Sequence, residues 1–370
     1  MILGRVSIIG LGLIGGSLGM ALCRSKSIGE VIGYDLFPEV AEEAVGRKAI
    51  HKKVDHLRDT AQADLVVLAV PVEKTTQVIK ELLPSLKKGT ILTDVASTKA
   101  GLYRMIPPML PKGVYYVGGH PMAGTERSGI GAADPFLFEN AVYLLTPGAD
   151  VPGQVIEVLS FFVRVVGGLP HLLDPEEHDL MVAAVSHLPH LAAAALVNTA
   201  ASIEKRHTGT LSLAAGGFRD STRIALGSPG LWREILLSNR EPLLAVLDEF
   251  IEQLADFRQD LASSAKEELE QRLNQAMLVR EELPVKNKGF LTLLHELVVV
   301  IEDRPGAISG VVNLLAAQDL NIKDLELLHI REGEGGTLRL AFEEASTLAK
   351  AVTVLKNQGY QVQAREDGQK

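Results

Sequence analysis

The sequence reads Val6-Ser7-Ile8-Ile9-Gly10-Leu11-Gly12-Leu13-Ile14-Gly15 close to its amino terminus. A short buried strand is followed at once by three glycines in the spacing GxGxxG, and a helical pattern begins there. Gly10 permits a tight turn, Gly12 leaves room for a diphosphate beside the backbone, and Gly15 lets the helix pack closely on the strand. The first amide groups of the helix, at Leu13 and Ile14, would face the phosphates. The stretch predicts a Rossmann-type domain that binds a dinucleotide.

Further apolar runs alternate with helical patterns along the first part of the chain. We predict strands at residues 6–9, 31–34, 65–70, 90–94, 114–117 and 142–145. This alternation is typical of a doubly wound α/β domain with a parallel sheet, which we assign to residues 1–168. The runs are almost continuously apolar, as expected for strands that helices cover on both faces.

Three residues beyond the glycines are predicted to line the nucleotide site. Asp35 ends the second strand, and Val70 and Pro71 end a later strand at the same edge of the sheet. A carboxylate at the end of the second strand accepts hydrogen bonds from a ribose 2′-hydroxyl and repels a 2′-phosphate. We therefore predict NAD, and not NADP, as the cofactor.

The remainder of the chain predicts two more domains. Strand patterns give way to helical spacing over residues 169–284, which we interpret as an all-helical domain. Pro284 and a polar linker break that pattern. Residues 290–366 then follow the order βαββαβ, which is typical of a ferredoxin-like fold.

Bulk composition excludes several classes of function. The 370 residues carry a formal net charge of −9 without a basic block, which argues against nucleic-acid binding. Cys23 is the single cysteine, so no intramolecular disulfide can form and a reducing compartment is expected. The longest apolar stretches fall short of the roughly 20 residues that a membrane span requires. We expect a cytoplasmic protein that does not bind membranes.

Hydride transfer from a carbon that bears a hydroxyl group requires a base near neutral pH, and histidine is the usual choice. His120 follows a predicted strand at the ligand-binding edge of the sheet. His187 and His190 lie at the start of the helical segment. No metal site is predicted, because these two histidines lack a third ligand at a recognisable spacing.

Five segments in sequence order resemble the prephenate dehydrogenase family, over residues 1–280. They are Gly10-Leu-Gly-Leu-Ile-Gly-Gly-Ser17, Asp94-Val-Ala-Ser-Thr-Lys99, His120-Pro-Met-Ala-Gly-Thr-Glu126, Ser186-His-Leu-Pro-His190 and Gly217-Phe-Arg-Asp-Ser-Thr-Arg-Ile-Ala225. The resemblance implies oxidative decarboxylation of prephenate to 4-hydroxyphenylpyruvate. It further implies that His120 takes the proton of the ring hydroxyl and that Ser97 hydrogen-bonds to the same hydroxyl and orients the histidine. Helical domains of this family interlock, which implies a homodimer.

The substrate is a dianion, so a chain of negative net charge must meet it with local positive charge. Arg223 is the candidate, because its planar fork can grip a carboxylate; the alternative is a structural pair with Asp220 or Glu126. Trp232 either walls the pocket or packs between helices. By resemblance, Thr125 and His190 contact the substrate side chain; the full set of predicted substrate-binding residues is Thr125, Glu126, His187, His190, Asp220, Arg223 and Trp232. Because a base must be neutral, activity is expected to rise with pH through the histidine range, about pH 5.5 to 8.

The carboxyl-terminal segment resembles an ACT domain, a module that binds amino acids. The resemblance rests on Arg304, Pro305 and Gly306 after its first strand and on Asn321 before its second. A tight turn with exposed amide groups could receive an amino-acid carboxylate. We expect tyrosine as the effector; the alternative is a dimerisation module without a ligand.

Two rival functions remain open from the sequence. Arogenate dehydrogenase acts on a substrate with an amino group where prephenate has a keto group, and the motifs do not separate the two. A non-catalytic regulator that senses NAD and an amino acid is the second rival. Formation of NADH from NAD and prephenate would exclude the regulator.

Overall fold

The fold is taken from a computed structural model, which describes residues 3–124, 127–282, 294–331 and 335–365. Thr125, Glu126 and Glu332 to Glu334 therefore lie outside the described residues. The chain divides into two compact units, Met1–Gln275 and Ala276–Lys370.

The first unit is built on an eight-stranded sheet in the order β3-β2-β1-β4-β5-β6-β7-β8. Its strands are β1 (Leu3–Ile9), β2 (Ile28–Tyr34), β3 (Lys52–Lys53), β4 (Leu65–Leu68), β5 (Ile91–Asp94), β6 (Tyr115–Pro121), β7 (Val142–Pro147) and β8 (Leu169–Leu172). All six predicted strands are present, and β4 and β5 are buried along their whole length, as strands between two helical layers must be.

In the described part of this unit, helices alternate with the strands up to β8, and the helices after β8 follow one another without a further strand. They are α1 (Leu13–Arg24), α2 (Pro38–Gly46), α3 (Val72–Leu82), α4 (Ala100–Met105), α5 (Gly153–Val165), α6 (Pro175–Val182), α7 (Leu188–Glu204), α8 (Gly216–Thr222), α9 (Pro229–Ser238), α10 (Arg240–Ser263) and α11 (Lys266–Glu282), of which α11 continues past Gln275, the last residue of this unit. One core cluster includes Leu18 of α1 and Phe162 of α5, and a second includes Ile79 of α3 and Leu102 of α4. Helices thus cover both faces of the sheet, which confirms the doubly wound fold.

Two details of the sheet differ from the sequence-based prediction. Strand β7 runs antiparallel to β6, whereas the other neighbouring pairs are parallel. The only helical segment among the described residues between β6 and β7 is a short 3₁₀ turn, Ile130–Ala132, and a parallel return would need a longer crossover. Strand β8 covers Leu169–Leu172, so strand pairing continues past residue 168.

Helices α6 and α7 form one continuous run through a π-helical segment, Ala183–His187. Within the described residues, this run, Pro175–Glu204, is long and apolar enough by length and composition to cross a membrane. The sequence-based expectation that no apolar segment reaches the length of a membrane span was wrong here. Isolated polar residues interrupt the apolar side chains of this run, so each uninterrupted apolar stretch in the sequence is short. His178, Asp179 and His187 on this run are buried and hydrogen-bonded, as in a helix that belongs to a folded core.

The second unit contains a four-stranded antiparallel sheet in the order β10-β11-β9-β12. Its elements are β9 (His295–Ile301), α12 (Ala307–Ala316), β10 (Asp324–Arg331), β11 (Gly335–Phe342), α13 (Ala345–Asn357) and β12 (Val362–Arg365). Leu297, Leu315, Phe342 and Leu355 belong to the core between the sheet and the two helices. The predicted ferredoxin-like fold is confirmed.

Arg339 on β11 is the charged centre of this second sheet. Its guanidinium group pairs with Glu296 on β9 and with Asp324 and Glu326 on β10, at 2.6 Å and 2.9 Å for the latter two. The arginine is 9% exposed, and its single positive charge pairs with three carboxylates on the two strands that flank β11.

Candidate active site

A cavity of about 690 Å³ opens at the carboxyl edge of the sheet beside the glycine-rich turn. Five of the predicted cofactor residues line it: Gly10, Gly12, Asp35, Val70 and Pro71. Leu13 and Ile14 lie in the first turn of α1, which carries no acidic residue there. The amino-terminal end of α1 thus keeps its partial positive charge for an anion.

Each glycine of the turn has its own steric reason. Gly10 has φ +89°, and a Cβ atom there would lie 2.4 Å from the carbonyl oxygen of Ala69. A Cβ atom on Gly15 would lie 2.0 Å from the carbonyl oxygen of Gly10, so only glycine lets α1 approach β1 this closely. A Cβ atom on Gly12 would meet no atom within 4 Å. The space at Gly12 is therefore open to a ligand, and it fits the predicted place of the diphosphate.

Asp35 has a structural task in addition to its predicted contact with the ribose. One carboxylate oxygen accepts a hydrogen bond from the amide of Leu11 at 2.7 Å, and the other accepts one from the amide of Phe37 at 3.0 Å. The carboxylate therefore ties the glycine-rich turn to the end of β2, while the side chain still lines the cavity.

A second cavity, of about 680 Å³, lies over the ends of β5 and β6. Among the predicted residues, its lining includes Ser97, His120, His187, Arg223 and Trp232. Arg127 and Ser128 line this cavity, whereas the next two residues, Gly129 and Ile130, line the nucleotide cavity. The two cavities therefore adjoin along the segment 127–130, as a hydride transfer between two ligands requires.

His120 is the first member of a buried chain of hydrogen bonds. Its Nδ1 lies 2.9 Å from Nε2 of His178, and Nδ1 of His178 lies 2.8 Å from Oδ1 of Asp179. The carboxylate of Asp179 also accepts hydrogen bonds from the amides of Lys99 at 2.7 Å and Ala100 at 2.9 Å. Helix α6 is thereby fixed against the start of α4, directly behind the cavity.

Burial controls the protonation of His120. Loss of solvent holds the pKa of its imidazole well below 6.5, and His178, Lys99 and His187 nearby lower the pKa further. The ring is therefore neutral throughout the neutral pH range and can accept a proton. This corrects the expectation that activity rises through the ordinary histidine range, because the acid limb that belongs to His120 moves to lower pH.

Lys99 supports the same wall from within the core. Its ammonium group is fully buried, forms an ion pair with Asp94 and donates to the carbonyl of Gly119 at 2.7 Å. Asp94 also accepts a hydrogen bond from the hydroxyl of Tyr116 at 2.8 Å. This network joins β5 to β6 one residue before His120, and so fixes the backbone that carries this histidine.

His187 lies on the π-helical segment that also places Ser186 at the cavity. The extra residue in a π turn rotates the side chains that follow, and such turns are frequent at functional sites. Nδ1 of His187 lies 3.0 Å from Nδ2 of Asn239, an amide nitrogen that can only donate. Burial lowers the pKa of His187 to about 4, so the ring is neutral and its proton resides on Nε2. The residue therefore offers a hydrogen-bond donor.

His190 and Trp232 form a stacked pair at the side of the cavity. Their ring centroids are 3.6 Å apart and their planes differ by 11°. A Cβ atom on Gly227 would lie 2.4 Å from Nε1 of Trp232, so glycine is needed where the chain passes the indole. Trp232 thus serves both as cavity wall and as packing for His190.

The remaining predicted residues divide into two groups. Thr125 and Glu126 lie outside the described residues. Asp220 is exposed on α8, and the cavity lining does not include it. The sequence analysis did not identify His178 and Asp179 as site residues. They lie four residues before the apolar Val182 and Ala183, and this helical spacing, which places all four on one buried face, was the available signal.

The second unit has a cavity of about 470 Å³ at the end of β9. Arg304 lines it and donates to Glu302 at 2.5 Å. Gly306 adopts φ +89° just before α12, as the predicted tight turn requires. Pro305 and Asn321 are exposed and do not belong to the lining of this cavity.

Family models match most of the first unit. Residues 18–169 match the model described as prephenate dehydrogenase, nucleotide-binding domain. Residues 174–275 match prephenate dehydrogenase, dimerization domain. The first match ends at the first residue of β8, the last strand of the sheet, and the second begins two residues after this strand ends.

Individual relatives agree with these models. The chain is 36% identical to the prephenate dehydrogenase of Bacillus subtilis (strain 168) over 340 residues, which cover 91% of this chain and 92% of the relative. The prephenate dehydrogenase of Aquifex aeolicus, solved with hydroxyphenyl propionate and NAD⁺, aligns with TM-score 0.72 and 32% identity, covering 76% of this chain and 99% of that one. Synechocystis arogenate dehydrogenase aligns with TM-score 0.67 and 30% identity over 75% of this chain and 99% of that one. Sequence, family models and fold agree that the chain belongs to the prephenate dehydrogenase family.

Proposed function

We propose that this protein is an NAD-dependent dehydrogenase that decarboxylates prephenate oxidatively to 4-hydroxyphenylpyruvate. The observation that carries the proposal is the neutral, buried His120 in a cavity that adjoins the nucleotide cavity. The relative from Aquifex aeolicus, whose structure contains NAD⁺ and a hydroxyphenyl compound, supports both ligands.

The residues of the chain have three tasks in this reaction. NAD, when bound, supplies the acceptor for the hydride. His120 accepts the proton of the ring hydroxyl, and Ser97 in the same cavity hydrogen-bonds to that hydroxyl. Loss of carbon dioxide together with departure of the hydride turns the cyclohexadiene into an aromatic phenol, so the driving force resides in the substrate. The protein has to orient the substrate and remove one proton.

Arg223 provides charge for the dianionic substrate. Arg127 lines the same cavity, so two guanidinium groups face a substrate with two carboxylates. The donor Nε2 of His187 can add a hydrogen bond to a carboxylate or keto oxygen. This concentration of donors explains how a chain of net charge −9 can attract a dianion.

The direct test measures absorbance at 340 nm with purified protein, NAD and prephenate. We expect NADH to form at a similar rate with wild type and with His171→Asn, an exposed histidine on β8, and roughly 100-fold or more slowly with His120→Asn. More than about a tenth of wild-type turnover in His120→Asn would exclude the proposed base. Arogenate is assayed in parallel, because the similarity to an arogenate dehydrogenase makes it the second candidate substrate.

We also propose that the second unit binds tyrosine and transmits feedback inhibition. Its cavity and the turn at Gly306 support an amino-acid site, with Arg304 as the partner for the carboxylate. A tyrosine titration of activity and melting temperature tests this. We expect Arg304→Gln to abolish the response and Lys323→Gln, outside that cavity, to keep it. A wild type whose activity and stability ignore tyrosine refutes the proposal.

A homodimer is the third part of the proposal. Large apolar side chains are exposed on the helices of the first unit: Leu196, Leu237, Leu244, Ile251, Leu254 and Leu261. A single folded chain rarely leaves so many on its surface, whereas a second copy would bury them. Sedimentation velocity should give the mass of two chains, and a monomer at micromolar concentration would contradict the proposal.

A further inference from the structure

The chain of hydrogen bonds behind His120 determines more than its position. Nδ1 of His120 and Nε2 of His178 are 2.9 Å apart, so one hydrogen lies between the two ring nitrogens. Which ring holds that proton decides whether Nε2 of His120 carries a lone pair or a hydrogen. Only the lone pair can accept a proton from a substrate hydroxyl in the cavity that His120 lines.

Asp179 settles the location of that proton. Both of its carboxylate oxygens accept hydrogen bonds from backbone amides, those of Lys99 and Ala100, so the group also acts as the acceptor towards Nδ1 of His178. His178 must therefore carry a proton on Nδ1, and with that single ring proton its Nε2 is an acceptor. His120 in turn must donate from Nδ1, and its Nε2 then keeps the lone pair.

We propose that His178 and Asp179 are positioning residues that hold His120 in the tautomer able to act as base. His178 is 0% exposed and Asp179 is 2% exposed, so both act on the substrate only through His120. The inference rests on the proposed function, which makes His120 the base. Where a carboxylate fixes a catalytic histidine in this way in serine proteases, reversal of the tautomer costs about 10⁴-fold in turnover.

The test compares two variants at position 178. The amide oxygen of Gln in His178→Gln can take the place of Nε2 as acceptor, whereas His178→Leu offers no acceptor of similar size. We expect His178→Leu to lose about 100-fold or more in kcat with KM for prephenate nearly unchanged, and His178→Gln to recover at least about tenfold of that loss. Equal losses in both variants, with equal melting temperatures, overturn the proposal.

A spectroscopic measurement separates this inference from the proposed function. With ¹⁵N-labelled histidine the chain has 10 imidazole spin systems, and His120→Asn identifies that of His120. We expect the proton of His120 on Nδ1 in wild type and in His178→Gln. A proton on Nε2 in wild type overturns the inference regardless of activity. The expected tautomer in a protein that leaves prephenate unchanged would support the positioning role and exclude the proposed substrate.

Discussion

Gly12 and Gly15 differ in the space that each leaves for a methyl group, and alanine at each of the two positions tests the cofactor site. Gly12→Ala places its Cβ atom where no atom lies within 4 Å, and Gly15→Ala places it 2.0 Å from the carbonyl oxygen of Gly10. Gly12 has φ −72° and ψ −155°, which alanine adopts without strain. The two variants therefore separate ligand contact from protein packing.

The magnitudes follow from these distances. Gly12→Ala should leave the free energy of unfolding unchanged or raise it by about 0.4–1 kcal/mol, because alanine reduces the freedom of the unfolded chain. Its methyl group fills the space proposed for the diphosphate, and loss of one or two charge-assisted hydrogen bonds should weaken NAD binding about 10-fold to 100-fold. Gly15→Ala must push α1 away from β1, and overpacking of this kind costs roughly 1–3 kcal/mol.

The assay combines isothermal titration of NAD with thermal unfolding in the absence of ligand. We expect Gly12→Ala to melt at the wild-type temperature or slightly above it and to bind NAD poorly. Gly15→Ala should melt several degrees lower, by about 2–4 °C for each kcal/mol lost. The reasoning is refuted if Gly12→Ala binds NAD with wild-type affinity, because the diphosphate then does not approach Gly12.

Three further outcomes follow from the structure. His120→Asn should lower turnover roughly 100-fold to 10,000-fold while the Kd for NAD stays near wild type; more than a tenth of wild-type turnover would show that another group is the base. The folded-state pKa of His187 is lowered from 6.5 to about 4, so the unfolded chain binds the proton more readily. The free energy of unfolding should therefore fall as the pH drops from 6.5 towards 4. Chemical denaturation at about pH 7 and about pH 5 should show a smaller difference in His187→Gln than in wild type. Arg339→Leu removes the guanidinium group that pairs with Glu296, Asp324 and Glu326, and should destabilise the second unit by about 3–5 kcal/mol, as judged by hydrogen exchange in β9 and β11. The exposed Arg304→Leu should leave that exchange unchanged.

The sequence by itself determined what depends on neighbours along the chain. The GxGxxG turn, the β-branched runs and the βαββαβ order are local patterns, and the six strands predicted in the first domain occur within a few residues of their predicted bounds. Backbone conformation and burial periodicity are set over a few residues, so they can be read without a tertiary structure. The positions of Asp35 and His120 at strand ends followed from the same patterns.

The tertiary structure decided which distant side chains meet. His120 and His178 are 58 residues apart in sequence, and their hydrogen bond exists because Asp179 fixes α6 to the first amides of α4. In the sequence the His178-Asp179 pair lies in an acidic stretch that looks like the solvated face of a helix. The direction of β7 likewise depends on how the chain returns after β6. Such contacts depend on how whole elements pack against each other, and no local pattern records that packing.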